Sequence, residues 1–173
     1  TEAKLESHFC GAPTLGLHAI GLDNMCRFAS WDWDQHDEDD PDTVAAKNMQ
    51  EELELGGQLE QLGMYPLLEN SDGKGGIHVW VLLAKPRHAR DVHHWAQSLA
   101  PKGCEAFPKQ TGVTAKPGKG HYGNFIRLPG KHHKRDHWSR FFIAGEWFEG
   151  ADATDLLLNW TPSDSDLIPV AEE

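Results

Sequence analysis

Asp32 and Asp34 stand one residue apart in Trp31-Asp-Trp-Asp34, after a run, Met25 to Ser30, in which Arg27 is the only charge. In a strand, residues i and i+2 point to the same face. The two carboxylates would then stand about 7 Å apart on one side, with Trp31 and Trp33 packed on the other. Such a pair suits hard divalent cations, which prefer oxygen ligands and can clamp the attacking and leaving oxygens of a phosphoryl displacement. A strand that ends in solvated acids and runs into the acidic turn Asp37-Glu-Asp-Asp-Pro41 is the plainer reading of the same letters. Downstream residues bear on the choice.

A second constellation is Glu69-Asn-Ser-Asp-Gly-Lys-Gly-Gly-Ile-His-Val-Trp80, with three glycines and Lys74 directly before a strand. Glycine lets backbone amides approach an anion closely, and Lys74 adds charge. His78 would share a face with Trp80, opposite Ile77 and Val79. No G-K-[ST] opens a helix here, so this is not a Walker loop, and a hairpin turn with a structural histidine fits the segment taken alone. His132, His133 and His137 include a zinc-compatible His-x3-His spacing, but no cysteine lies near enough to complete a site.

The elements that must position these residues are readable from composition and period. With 173 residues, 39% hydrophobic and seven Trp, the chain supports one compact domain, expected over 1–160, with 161–173 as an acidic tail or linker. Three widely spaced cysteines read as reduced thiols of a cytoplasmic protein. No run of 18 apolar residues and no secretory pattern occur, so no membrane partner is expected. The net charge of −11 argues against a general nucleic-acid coat, but its distribution is uneven. Asp32 to Glu60 holds eleven acids against Lys47, whereas Ala106 to Arg140 holds eight Lys and Arg against Asp136 alone. A local basic patch on an acidic protein follows from that asymmetry.

Period and punctuation predict a short helix over Thr1 to Cys10, and a hairpin of Leu15 to Gly21 with Asn24 to Asp34 turning at Asp23-Asn24. After Pro41, Val44, Met49, Leu53, Leu55, Leu59 and Leu62 predict two helices, or one kinked at Gly56-Gly57. A hairpin of Met64 to Glu69 with Ile77 to Leu83 follows, then a helix over Pro86 to Leu99. Glu105 to Pro108 is a short extended piece, and Gln110 to Tyr122 a glycine-rich loop. Asn124 to Leu128, Ser139 to Ile143 and Glu146 to Phe148 are short strands, and Asp152 to Trp160 a last helix. The class is α+β, a sheet of antiparallel character with helices on one face.

Asp32-Trp-Asp34, Ser71-Asp-Gly-Lys-Gly-Gly-Ile-His78, Glu105-Ala-Phe-Pro-Lys-Gln110 and Gly123-Asn-Phe-Ile-Arg-Leu-Pro-Gly130 occur in one order. That order resembles the archaeo-eukaryotic primase superfamily, specifically primase-polymerase members found with mobile elements and CRISPR or conflict systems, from Leu15 to Phe148. The resemblance implies an RRM-like sheet with an added N-terminal α/β unit in one catalytic core. It implies a template-directed nucleotidyltransferase, a primase or DNA polymerase, using NTP or dNTP and two Mg2+ or Mn2+ ions. Asp32 and Asp34 match the acid-x-acid metal motif and Glu105 the third acid. His78 matches the histidine that contacts the nucleotide's phosphates, with Ser71, Lys74, Gly75 and Gly76 in the loop before it. The family's serine two residues before that histidine is Gly76 here, so a backbone amide would have to serve. Arg127 matches a basic contact to nucleotide or template phosphates.

Lys109, Lys116, Lys119, Lys131, Lys134 and Arg135, interleaved with Tyr122, Phe125 and Trp138, suit a single-stranded DNA template or primer. A helicase or nuclease domain in a longer native chain is compatible with the open-ended tail. Two other classes compete. One is a non-catalytic RRM-like single-strand binder, in which clustered carboxylates would repel phosphates unless metal intervenes. The other is a metal-dependent phosphoesterase using the same acids.

Overall fold

The computed structural model describes residues 2–11, 13–34, 40–114, 116 and 118–172. The acidic turn expected at 37–41 lies outside them up to residue 39. The described residues form the expected α+β architecture. The main sheet runs β5 (Glu105–Phe107), β2 (Met25–Trp33), β4 (Ile77–His88), β3 (Pro66–Asn70), β7 (Arg140–Ile143) and β8 (Glu146–Phe148), each neighbouring pair antiparallel. A separate ribbon pairs β1 (Gly16–His18) with β6 (Phe125–Arg127).

Alternation along the strands assigns the two faces. Ala29, Trp31, Trp33, Leu68, Val79 and Val81 enter one core with Leu55 and Leu59 of α2 (Pro41–Gln61) and with Val92, Trp95 and Ala96 of α3 (Ala89–Leu99). Leu67, Trp80 and Phe107 enter a second core with Ile126 of β6, Phe141 of β7 and Ala153 of α4 (Gly150–Leu158). The N-terminal helix α1 is Glu2–Phe9.

Four expectations change. α2 is one continuous helix through Gly56-Gly57, begun by the Asp40 side chain accepting from the Thr43 amide and by Pro41 in the first turn. A Cβ at Gly56 would sit 3.4 Å from both Leu68 methyls, so this glycine brings the helix close to the sheet instead of breaking it. Pro86 lies inside β4, at an irregularity between the Cys26–Arg87 and Phe28–Leu82 pairs, where a missing N–H costs little. The helix starts only at Ala89, with the His88 ring accepting from the Arg90 amide. The turn at Asp23-Asn24 forms, with Asn24 at φ 58, but β1 leaves it to pair with β6 instead of β2.

The last difference concerns the segment after Thr161. Ser163 exchanges backbone hydrogen bonds with Leu82 and Ala84 on the irregular part of β4, and Ile168 is fully buried. β3 reaches along β4 only as far as the Pro66–Val81 pair, and this segment takes up the β4 groups beyond it, with Ser163 Oγ accepting from the Tyr65 amide at 2.9 Å. Asp164, Asp166 and Glu172 are exposed while Ser163, Ser165 and Ile168 are buried.

Candidate functional site

Strand register builds the site. Asp32 lies opposite His78 on β4 and opposite Glu105 on β5, and His78 lies opposite Glu69 on β3. Directly opposed residues share a face in an antiparallel sheet, so Glu69, His78, Asp32 and Glu105 form one row across four strands. Asp34 follows just beyond the end of β2. Asp32, Asp34 and Glu105 each bring an oxygen within 4.8 Å of the others, the one group of metal-competent donors among the described residues. The intervening tryptophans fix the strand from behind. Trp31 Nε1 donates to Ala96 O of α3 at 3.0 Å, and Trp33 Nε1 donates to Glu51 Oε2 of α2 at 2.9 Å. The alternation read from Trp31-Asp-Trp-Asp34 is thus the local cause of the cluster.

Beneath the cluster His78 is 4% exposed and held on both sides. Its Nδ1 lies 2.9 Å from Glu69 Oε2, and its Nε2 lies 3.3 Å from Asp32 Oδ1. The second contact is an ion pair to an oxygen that is itself buried. Burial alone would lower the His78 pKa, but Glu69 and Asp32 outweigh it and raise it to about 10. Glu69 is fully buried, which opposes its ionisation, yet His78, the Ser139 hydroxyl and Arg127 hold it below its ordinary value. It also accepts from Trp80 Nε1 at 2.7 Å and from Ser139 Oγ at 2.5 Å. His78 is therefore an imidazolium wedged between two carboxylates.

Glu52 of α2 faces the sheet and is fully buried, with neither carboxyl oxygen hydrogen-bonded to a described residue. Burial, helped by Glu69 and opposed by His78, raises its pKa to about 9. Folding therefore binds a proton here between the ordinary 4.5 and about 9, and stability must fall as pH rises through that window. We expect Glu52→Gln to flatten the fall between pH 5 and 9 by about 1.4 kcal/mol per pH unit, read by denaturant unfolding. An unchanged slope in that variant would show that Glu52 ionises freely in the folded protein.

The glycine-rich loop after β3 is organised by Asp72. Its Oδ1 accepts from the Lys74 amide at 2.7 Å and the Gly76 amide at 2.8 Å, and Arg135 pairs with its other oxygen. The Gly76 amide expected to receive a phosphate is thus occupied by the loop's own carboxylate. Burial opposes ionisation of Asp72, but these donors hold its pKa low. Gly75, at φ 100, would place a Cβ 2.8 Å from the Ala45 backbone, and its carbonyl accepts from Asn48 of α2 at 2.7 Å. Ser71 is buried, and its carbonyl accepts from Arg127, whose Nη1 is buried without a hydrogen-bond partner among the described residues. Burial first, then Arg127, His133 and Arg135, push the His132 pKa down to about 4. Burial is the larger cause, and the neighbouring bases add to it. Lys74 is exposed at its tip.

The remaining basic residues have different partners. Lys109 pairs with Glu105 at 2.5 Å, inside the acidic cluster. Arg135 closes on Asp72. Lys116 and Lys119 face each other in a small hairpin on the surface, whereas Lys131 pairs with Asp136 at 3.3 Å and its bridge partner is Trp138. The Lys134 amide donates to the His132 ring. The histidines considered for zinc are otherwise engaged: His137 Nε2 lies 3.2 Å from Asn70 O, and His132 stacks on His133.

Sequence reasoning missed Glu69, Glu52 and the Asp72–Arg135 pair. Glu69 could have been found by running the hairpin register back from Ile77–Asn70, which sets it opposite His78. Glu52 occupies the core-facing i, i+4, i+7 positions with Asn48, Leu55 and Leu59, a pattern visible once α2 is read as unbroken. A family model described as "TOTE conflict system, Archaeo-Eukaryotic Primase domain" matches residues 1–167. No curated protein matches the chain.

Proposed function

The chain belongs to the archaeo-eukaryotic primase domain family of TOTE conflict systems, and from that premise we propose that it joins nucleotides to the 3′ end of a nucleic acid strand. The observation that carries this reading is the convergence of Asp32, Asp34 and Glu105 on one point. Three carboxylates are a hard donor set, which fits Mg2+ or Mn2+ better than thiophilic ions. Bound there, such ions would lower the pKa of the 3′-hydroxyl and neutralise charge on the departing pyrophosphate.

The protein's own residues do the rest. Asp32, Asp34 and Glu105 would hold the ions. His78, anchored by Glu69, keeps Asp32 in place and sets a positive charge behind it. Arg127, Arg135 and Lys74 receive the triphosphate, whose γ end competes with Asp72 for Arg135. The O3′–Pα bond forms as the bond from Pα to pyrophosphate breaks, and the 3′-hydroxyl proton passes to solvent. Glu105 is paired with Lys109 and would have to leave it to hold an ion. The strand acceptor is a primer or a first nucleotide paired to a single-stranded template.

Primer extension with each nucleotide type, with Mg2+, Mn2+ or EDTA and with and without primer, tests the reading. Template-dependent growth with pyrophosphate release supports it. Inorganic phosphate released without chain growth would make the protein a phosphoesterase, and strand binding without either product would make it a binder. In the same assay Arg127→Ala should raise the nucleotide concentration for half-maximal rate by about tenfold or more, with template affinity nearly unchanged. An unchanged requirement would remove Arg127 from the triphosphate.

A further inference from the structure

Phe125 lies in a regular strand, on a folded ribbon, and is 63% exposed. Its ring is laid across the neighbouring strand, for a Cβ added at Gly16 would collide with it. The ring therefore lies close against the glycine backbone while most of its surface stays exposed. His18, directly opposite Phe125, meets the ring edge-on at 6.0 Å and 81°, and Tyr122 lies 5.7 Å beyond His18. The Tyr122 hydroxyl donates to Lys116 O at 2.8 Å and accepts from the Gly118 amide at 2.7 Å. It thereby ties the Lys116–Lys119 hairpin, both of whose lysines are exposed, to the aromatic group. A hollow of about 590 Å³, lined by His18, Leu22, Arg27 and Phe28 among others, opens beside it.

The group is continuous with the candidate site. Ile126 is buried in the second core, so Phe125 and Arg127 project from the opposite side of β6. Arg127 reaches the loop at Ser71, one strand step of about 7 Å from Phe125. We propose that the β1–β6 ribbon is a base-stacking platform for a single strand of nucleic acid, with Phe125 as its open ring and Lys116 and Lys119 on the backbone. The proposal rests on nucleic acid being the substrate and names the surface that holds it. Open aromatic faces flanked by cations bind single strands with little sequence preference, because every base offers a π face.

The test is binding of a labelled oligothymidylate and of an abasic oligomer of equal length, in EDTA and without nucleotide, over a range of salt. The wild-type protein should prefer the base-bearing strand. Phe125→Ala should weaken that strand about tenfold and leave the abasic affinity and the salt slope alone. Phe125→Trp should restore the preference. Reversing Lys116 and Lys119 to Glu should flatten the log–log salt slope by about 0.7 for each phosphate no longer neutralised. Equal affinity of wild-type protein for both strands, or a Phe125→Ala variant that binds like wild type, overturns the platform and leaves Phe125 as packing for Gly16. A Phe125→Ala loss confined to nucleotide affinity overturns it too. Since no metal or nucleotide is present, an intact base preference in a protein that fails primer extension sinks the nucleotidyl-transfer reading alone. Normal extension without base preference sinks only the platform.

Discussion

Asp32→Asn and Asp34→Asn are each expected to reduce nucleotide incorporation by about a thousandfold or more while the protein remains folded. Asn keeps the shape of the side chain but is a far poorer ligand for a hard cation. In the absence of metal the three acids lie within 4.8 Å of one another, so each variant lowers the mutual repulsion of the cluster, which for Asp32 is offset by the loss of its pairing with His78. The two variants should separate in one respect. Asp32 also faces His78 at 3.3 Å, so its replacement removes one of the two carboxylates that keep the imidazole charged. Mn2+ titration followed by calorimetry, alongside incorporation assays, checks both points. Incorporation within tenfold of wild type in either variant would take that acid out of the metal site.

The second large effect concerns a residue that touches no substrate. Glu69→Ala should lower folding stability by about 3–5 kcal/mol, because it leaves the His78 imidazolium, the Trp80 indole N–H and the Ser139 hydroxyl without their shared buried acceptor. The sign with pH follows from the directions of the two shifts. Glu69 contributes stability above its ordinary pKa of 4.5 that is lost as pH falls through its lower folded value. His78 contributes stability below 6.5 that is lost as pH rises toward about 10. The wild-type advantage over Glu69→Ala should therefore be greatest between about pH 4.5 and 6.5. Denaturant unfolding of both proteins across pH 4 to 10 measures it. A difference below about 1 kcal/mol at pH 6 would mean that the pair contributes no net stability.

The acidic cluster was legible because Asp32 and Asp34 depend on period two, while Glu105 came from the order of motifs in the family resemblance. Asp32 and Asp34 alternate with tryptophans, and Glu105 begins a strand too short to pair in many registers. What stayed hidden depends on register and on distant partners. Glu69 reads as the start of a loop until its strand is slid against β4. The basic stretch looked continuous, yet folding sends Lys109 to Glu105 and Arg135 to Asp72, pairings separated from any local signal by tertiary structure. Pro86 and Gly56 were misleading for a common reason. Each breaks regular structure in isolation, and each is accommodated by a neighbour the local sequence does not contain, an irregular ladder for one and Leu68 for the other.

The placement of Glu105 has a further consequence. Asp32 belongs to β2, which is held on both sides by β4 and β5, but Glu105 begins the three-residue strand at the end of the sheet, paired through β2. Terminal strands of this kind open locally at a small fraction of the free energy needed to unfold the whole domain. An ion shared by Asp32 and Glu105 would act as a cross-link between the two strands, and part of its intrinsic affinity would go into suppressing that opening. The apparent affinity of the site is then the intrinsic affinity scaled by the fraction of time the strand is seated. Any change that seats β5 more firmly, far from every carboxylate, would tighten metal binding without altering a single ligand.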